Sequence, residues 1–393
     1  MEKIRYTFLI VMFFLIFLFL FNLIFYNNFS MQFMVFDSHL RDYMADFTNM
    51  IKFVSQNNPY QFSSNIIYSG DHAYPPLVYV FFSIFYKIVN GNGDYITCTI
   101  MLCHYVMFLI TSFLLLTLYN GFKTDNLFKN LFMICIVFSG IFLYSWERGN
   151  MITLSAACIT FFLFNYKSEK KYIRELSLIA LSISCVLKIL PALLAIFLLY
   201  DKRWKDFFKV VVYSILLFFI PFIYFEGGFN CFPILIKNME INTNYYLFKR
   251  IPSFYILSFN LPLLIFTKWL YIKLSFIISV LAIATNFSHT IKWKQTAQII
   301  LSIYAIFSSS FLYVMLYFFP FIIMFFNKKE VEKDDWIYLL LFILILNPFQ
   351  ITNSTGYVIN GDLIKISSLI LLICLTKESI LKTIELIKNK KLN

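Results

Sequence analysis

The run Tyr6–Tyr26, YTFLIVMFFLIFLFLFNLIFY, decides what kind of protein this is. About 20 consecutive apolar residues suffice to cross the hydrocarbon core of a bilayer, and this run reaches that length without a charge. It is too long for a signal-peptide core, and no small-residue cleavage site follows it, so it reads as a retained span. Similar runs recur along the chain. Of its 393 residues, 60% are hydrophobic and 14% charged, against about 25% charged in soluble domains. The expectation is an all-α polytopic membrane protein, folded as one integral membrane domain over 1–393, with no internal repeat and no soluble domain.

The net charge of +12 does not point to nucleic acid, because the Lys and Arg residues gather in short stretches between apolar runs. That is the pattern of the positive-inside rule and of attraction to anionic lipid. The seven Cys residues have no CxxC or other ligand spacing, and Cys98, Cys103, Cys135, Cys158, Cys185 and Cys374 lie in apolar runs. They read as small buried hydrophobes. No metal site and no cofactor are expected.

The basic clusters assign the two sides. Lys3 and Arg5, Lys123 and Lys129, Lys167–Arg174, Lys202–Lys209, Lys292 and Lys294, Lys328–Lys333 and the Lys-rich tail from Lys377 are taken as cytoplasmic. Residues 6–26 then cross outward and 95–118 return. The segments 130–145, 151–166, 208–225, 269–288, 295–309, 311–326, 336–350 and 362–376 alternate after them. Residues 175–200 begin and end on the same side, so a break is expected at Lys188–Pro191, where proline removes a backbone hydrogen bond and a lysine needs a partner. The count is about twelve spans in a multi-pass protein of the inner (plasma) membrane. Pro75–Val89 is apolar but short, a half-membrane or interfacial helix or else a crossing.

The first outward segment, 28–94, is the longest. Asp37 and Ser38 are capping residues for a helix to about Val54. Tyr43, Phe47, Met50 and Val54 form an apolar stripe on it, and Asp42, Asp46 and Asn49 a polar row. That pattern suits a helix lying on the outer bilayer surface with carboxylates at headgroup level. Trp146–Asn150 forms a second outward element and Glu226–Phe254 a third, carrying Lys249, Arg250 and Ser253. Arg148, Lys188 and Arg250 place positive charge near the outer face, which suits a lipid-linked phosphate that Arg engages through two oxygens. An opposed carboxylate supplies a base.

This arrangement resembles the GT-C membrane glycosyltransferases, and within them glycosyltransferase family 87, which includes polyprenol-phosphate-mannose-dependent mannosyltransferases. The resemblance rests on Asp42-Tyr43, Pro59-Tyr60 and Tyr74-Pro75-Pro76 in order, then Arg148-Gly149-Asn150, then Lys188-Ile189-Leu190-Pro191 followed by Arg203-Trp204. Ser310-Phe311 and Pro320 fit a later family element, with Tyr313 where the family has His. The resemblance implies a hexose, mannose first, moved from a polyprenyl-phosphate donor to a glycan or glycolipid acceptor on the outer face. Asp42 is then the base, with Asp46 in reserve, in an inverting displacement analogous to that of inverting glycosidases. Arg148, Lys188 and Arg250 hold the donor phosphate, and Tyr74, Asn150 and Tyr313 contact substrate. Two rivals remain at this stage. A polymerase or ligase of the O-antigen type concentrates its arginines in a late loop, whereas here the first loop is largest. A lipid-linked glycan transporter places polar groups on broken helices in paired repeats.

Overall fold

The computed structural model describes residues 1–25, 44–54, 58–61, 72–90, 95–249, 276–306, 312–348 and 359–391. Among these residues the chain is all-helical, with no strand. In order come α1 (Glu2–Phe25), α2 (Ala45–Phe53), α3 (Pro76–Val89), α4 (Tyr95–Gly121), α5 (Asn126–Val137), α6 (Gly140–Arg148), α7 (Ile152–Asn165) and α8 (Lys171–Leu187). They are followed by α9 (Ile196–Tyr200), α10 (Trp204–Phe219), α11 (Cys231–Lys249), α12 (Phe276–Ser288), α13 (Lys292–Ile306), α14 (Phe319–Phe326), α15 (Asp335–Leu346) and α16 (Ile359–Lys391).

Three of these stretches are long and apolar enough to cross a bilayer: Glu2–Phe21, Cys98–Gly121 and Trp204–Tyr224. A fourth is the pair α5 and α6, bent by 52° at the break between them. Only 17% of the apolar window at Trp204–Tyr224 is buried by protein, so Phe208, Val212 and Ile215 face outward, as side chains in contact with lipid do. This is a membrane protein. The remaining apolar helices, α3, α7, α12 and α15 among them, are 10–17 residues long. The described residues therefore give three or four full crossings by length, against the dozen expected from charge alternation.

The chain sorts into two compact units. The first comprises Met1–Leu40, Leu118–Glu147 and Ile251–Asn393. Inside it α1 packs on α5 and α15, and α16 packs on α13 and α15. Phe8 stacks on Phe132 at 5.0 Å and meets Phe326 at 4.9 Å. The Arg5 guanidinium donates to the carbonyls of Phe326 (2.7 Å) and Lys328 (3.2 Å). Asn327 accepts from the Lys123 amide and donates to the Gly121 carbonyl, both at 2.8 Å. Lys294 pairs with Glu378 at 2.8 Å and Glu332 at 2.9 Å, and Lys328 with Asp335 at 2.8 Å. Burial pushes the Glu332 carboxyl up, but the Lys294 and Lys328 ammonium groups outweigh it and hold it below the usual carboxylate range. Residues that the charge pattern assigned to one side, Arg5, Lys123, Lys294 and Lys328, thus meet in one polar layer.

The second unit comprises Arg41–Thr117 and Arg148–Arg250. Its centre is the hairpin of α7 and α8, with α10 packed on α8 and α3 packed on α2 and α10. Ser155 and Ser184 share a hydrogen bond of 2.6 Å between the hairpin helices. α8 stops at Leu187, and Lys188 takes an extended backbone (φ −148°, ψ 119°). Pro191 then sits in the first turn of the 3-10 segment Leu190–Ala195, which leads into α9. The break falls at Lys188–Pro191, where the sequence placed it.

Candidate active site

The first side chain of the site, Asp46, is carried by α2. Its carboxylate is favourable there, in the first turn of a helix. Phe47, Met50 and Ile51 are buried, with Phe47 edge-on to Phe82 of α3 at 4.9 Å between centroids. The sequence reading gave this apolar face to the bilayer; in the structure α3 covers it. An amphipathic pattern states that a face must be covered and not by what. The described helix also begins at Ala45, after Met44 in the left-handed region (φ 51°). Asp42 lies outside the described residues.

The Arg148 guanidinium donates to Asp46 through Nη2 to Oδ1 (2.6 Å) and Nε to Oδ2 (3.4 Å). Asn150 donates through Nδ2 to Asp46 Oδ2 at 2.7 Å. The Asn150 Oδ1 accepts from the Ile152 amide at 2.9 Å, so both ends of this buried amide are committed and its orientation is fixed. Arg148 and Asp46 each keep about a sixth of the side chain exposed (16% and 17%), enough for a ligand to reach them.

Between Arg148 and Asn150 stands Gly149 at φ +61°, where a Cβ would sit 3.0 Å from Met44 Sδ and 3.1 Å from Phe47 Cβ. The side chains of Met44 and Phe47 crowd this turn, so a side chain here would have to push them aside as well as adopt the left-handed backbone. Gly149→Ala combines left-handed strain with overpacking, together about 2–4 kcal/mol. The expected result is a clear fall in the apparent melting temperature in detergent, with the α2–Asn150 contact displaced. An unshifted melting temperature would contradict the close approach.

Lys188 reaches the same region from the break after α8. Its Nζ lies 4.7 Å from the centroid of the Tyr74 ring, a cation–π distance, and the Asp46 carboxylate acts on it electrostatically. Tyr74 is held by a clasp of backbone and side chains. Its carbonyl accepts from the Tyr60 hydroxyl (3.1 Å), and its amide donates to the Tyr79 hydroxyl (3.4 Å). His72 Nδ1 lies 2.5 Å from the Pro59 carbonyl. Asn238 of α11 donates to the carbonyls of both Tyr60 (3.1 Å) and His72 (3.2 Å). The Pro59-Tyr60 and Tyr74-Pro75-Pro76 segments are thereby tied into one piece, with Pro76 at the first position of α3, where its missing N–H costs nothing. His72 and Asn238 were missed from sequence. No cue marked them, since His72 follows Ser69-Gly70-Asp71 and Asn238 lies between Lys237 and Glu240, both in polar stretches.

The site stands at one end of the α7–α8 hairpin. At the other end Lys167 pairs with Asp201 (2.7 Å) and Lys209 with Glu175 (2.6 Å), and Arg203 meets Asp206 and the Tyr166 carbonyl. α7 is 14 residues long, so the two ends are about 21 Å apart at ~1.5 Å per residue.

Of the residues singled out in the sequence, Asp46, Tyr74, Arg148, Asn150 and Lys188 are brought together. Arg250 lies outside the described residues. Tyr313 belongs to the first unit, where its ring stacks on Tyr144 at 5.9 Å with planes 12° apart.

No curated protein and no solved structure matches the chain. The family model described as Glycosyltransferase family 87 matches residues 72–312. That stretch takes in Tyr74, Arg148, Asn150, Lys188 and Arg250; Asp42 and Asp46 precede it, and Tyr313 follows it by one residue. With more than half of its length matched, and with those five residues inside the match, the chain belongs to glycosyltransferase family 87.

Proposed function

We propose that this glycosyltransferase moves a hexose, mannose being the first donor sugar to test, from a polyprenyl phosphate to a glycan or glycolipid acceptor. The reaction takes place on the outer face of the plasma membrane. The observation that carries this reading is the convergence of Arg148, fixed by an Asp46 that Asn150 also holds, with Lys188 over Tyr74. Two cations oriented in advance suit a phosphate whose negative charge grows as it leaves, because their orientation is settled before the reaction begins. The hairpin supports this sidedness: the charge rule favours the cytoplasmic side for the basic cluster of Lys167, Arg203 and Lys209, and the site lies at the hairpin's other end.

In the reaction an acceptor hydroxyl oxygen attacks the anomeric carbon on the face opposite the phosphate. Its proton passes to a carboxylate, and the bond from the anomeric carbon to the phosphate oxygen breaks, the electron pair leaving with polyprenyl phosphate. Asp42 is assigned the proton, because both oxygens of Asp46 are already hydrogen-bonded. Asp46 then positions Arg148. Arg250 completes the phosphate contacts.

Lys188→Met tests the donor site. Removing the ammonium while keeping a stem of similar length raises the donor KM by roughly tenfold, equivalent to about 1.4 kcal/mol of lost phosphate binding, and leaves the acceptor KM unchanged. Initial rates against donor concentration measure this, and an unaltered donor KM removes Lys188 from the phosphate site. Sealed vesicles loaded with acceptor separate the transporter reading: a glycosyltransferase makes a new glycosidic bond, whereas a transporter moves substrate and makes none.

A further inference from the structure

A cavity of about 620 Å³ in the second unit runs along one face of α3, next to the clasp that holds Tyr74. Tyr79, Ser83, Tyr86 and Lys87, at i, i+4, i+7 and i+8, form one wall, and Tyr224 and Glu226 contribute to the other. The Lys87 Nζ lies 5.2 Å from the centroid of the Tyr224 ring, a cation–π distance, and the Ser83 hydroxyl donates to the Val80 carbonyl at 2.7 Å. The volume falls within the roughly 300–1,000 Å³ typical of ligand sites. Its lining of tyrosine rings with a few fixed polar groups suits a sugar, whose ring has an apolar face and a rim of hydroxyls. It does not suit the donor phosphate, since its one ammonium is engaged by Tyr224 and Glu226 adds a carboxylate.

The neighbouring surface is apolar. Helical geometry turns Ile84 and Ile88 onto the face of α3 just beyond Lys87, where they are 55% and 57% exposed. Ile223, adjoining Tyr224, is 70% exposed. In a membrane protein such side chains face acyl chains. A polar cavity flanked by a lipid-facing surface fits an amphipathic ligand.

We infer that this cavity is the acceptor subsite and that the acceptor is a glycolipid, its sugar held between Tyr86 and Tyr224 and its lipid chain lying along Ile84, Ile88 and Ile223. The inference rests on the glycosyl-transfer reading above and names the acceptor class for it.

Two measurements test it, one independent of turnover. In phosphatidylcholine nanodiscs, decyl glycosides of mannose, glucose and galactose bearing a diazirine at the chain end are photolysed and the adducts mapped by mass spectrometry. At least one sugar gives adducts at Ile84, Ile88 or Ile223 that the unlabelled decyl glycoside suppresses and decanol does not, and Tyr86→Ala lowers their yield at least fivefold. In the transfer assay, Tyr86→Ala and Glu226→Gln each raise the acceptor KM about tenfold with donor KM unchanged, and decyl glycosides are better acceptors than methyl glycosides. Adducts that decanol suppresses equally, or that survive Tyr86→Ala, reveal ordinary lipid contact and overturn the proposal, as do methyl glycosides that serve equally well. Should the protein transfer from no donor at all, the transfer reading falls, and the adduct map still decides whether a glycolipid occupies the cavity.

Discussion

Asp42→Asn lowers glycosyl transfer by about 10²–10⁴-fold, the usual contribution of a general base, while the protein still inserts and still binds donor. The substitution keeps the size and hydrogen-bonding reach of the side chain and removes its capacity to take a proton. The acceptor hydroxyl is then left to attack while still protonated, so the loss falls on kcat. Asp46→Asn gives a contrasting result. Asp46 already accepts from Arg148 at 2.6 Å and from Asn150 at 2.7 Å, so its loss releases the guanidinium and is felt in the donor KM. Transfer undiminished by Asp42→Asn, with kcat collapsing in Asp46→Asn, would reverse the two assignments.

Arg148→Ala is the second large effect. Removing an oriented charge from the leaving group costs about 10²–10³ in kcat. It also strips Asp46 of its ion pair. Breaking a fully buried pair costs about 3–5 kcal/mol; with 16% and 17% of the two side chains exposed, a smaller loss of stability is expected here. The two consequences are separable. Adding Asp46→Asn to Arg148→Ala removes the stranded carboxylate, so the double variant regains stability without regaining rate. Recovery of rate in the double variant would mean that Arg148 merely neutralises Asp46 and has no part in catalysis.

Some of this was legible in the sequence because proline and charge act locally. Pro76 opens α3 and Pro191 marks the end of α8 because a ring without an N–H has few places in a helix. The basic stretches foretold which loops meet, since Lys294, Lys328 and Lys382 are expected on one side and share the carboxylates of Glu332 and Glu378. The partner of Arg148 was not legible. Asp46 and Arg148 are 102 positions apart, and Asp42, four positions earlier in the sequence, carries the same chemistry. Only the close approach of α2 to Gly149 selects between them. The clasp of His72 and Asn238 was hidden for a similar reason, because it bonds backbone carbonyls, which every residue carries. The described residues do not show twelve full-length spans: α7 and α15 are apolar but 14 and 12 residues long.

The central claim, that this protein transfers a sugar from a lipid phosphate, is tested most directly by incubating it, purified, with radiolabelled polyprenyl-phosphate mannose, glucose and galactose and an extract of membrane glycolipids. The account predicts a new glycosidic bond of inverted anomeric configuration from at least one donor, with free polyprenyl phosphate released in equal amount. Polyprenyl-phosphate sugars recovered intact in every case, alongside a protein that moves them across vesicles, would contradict it.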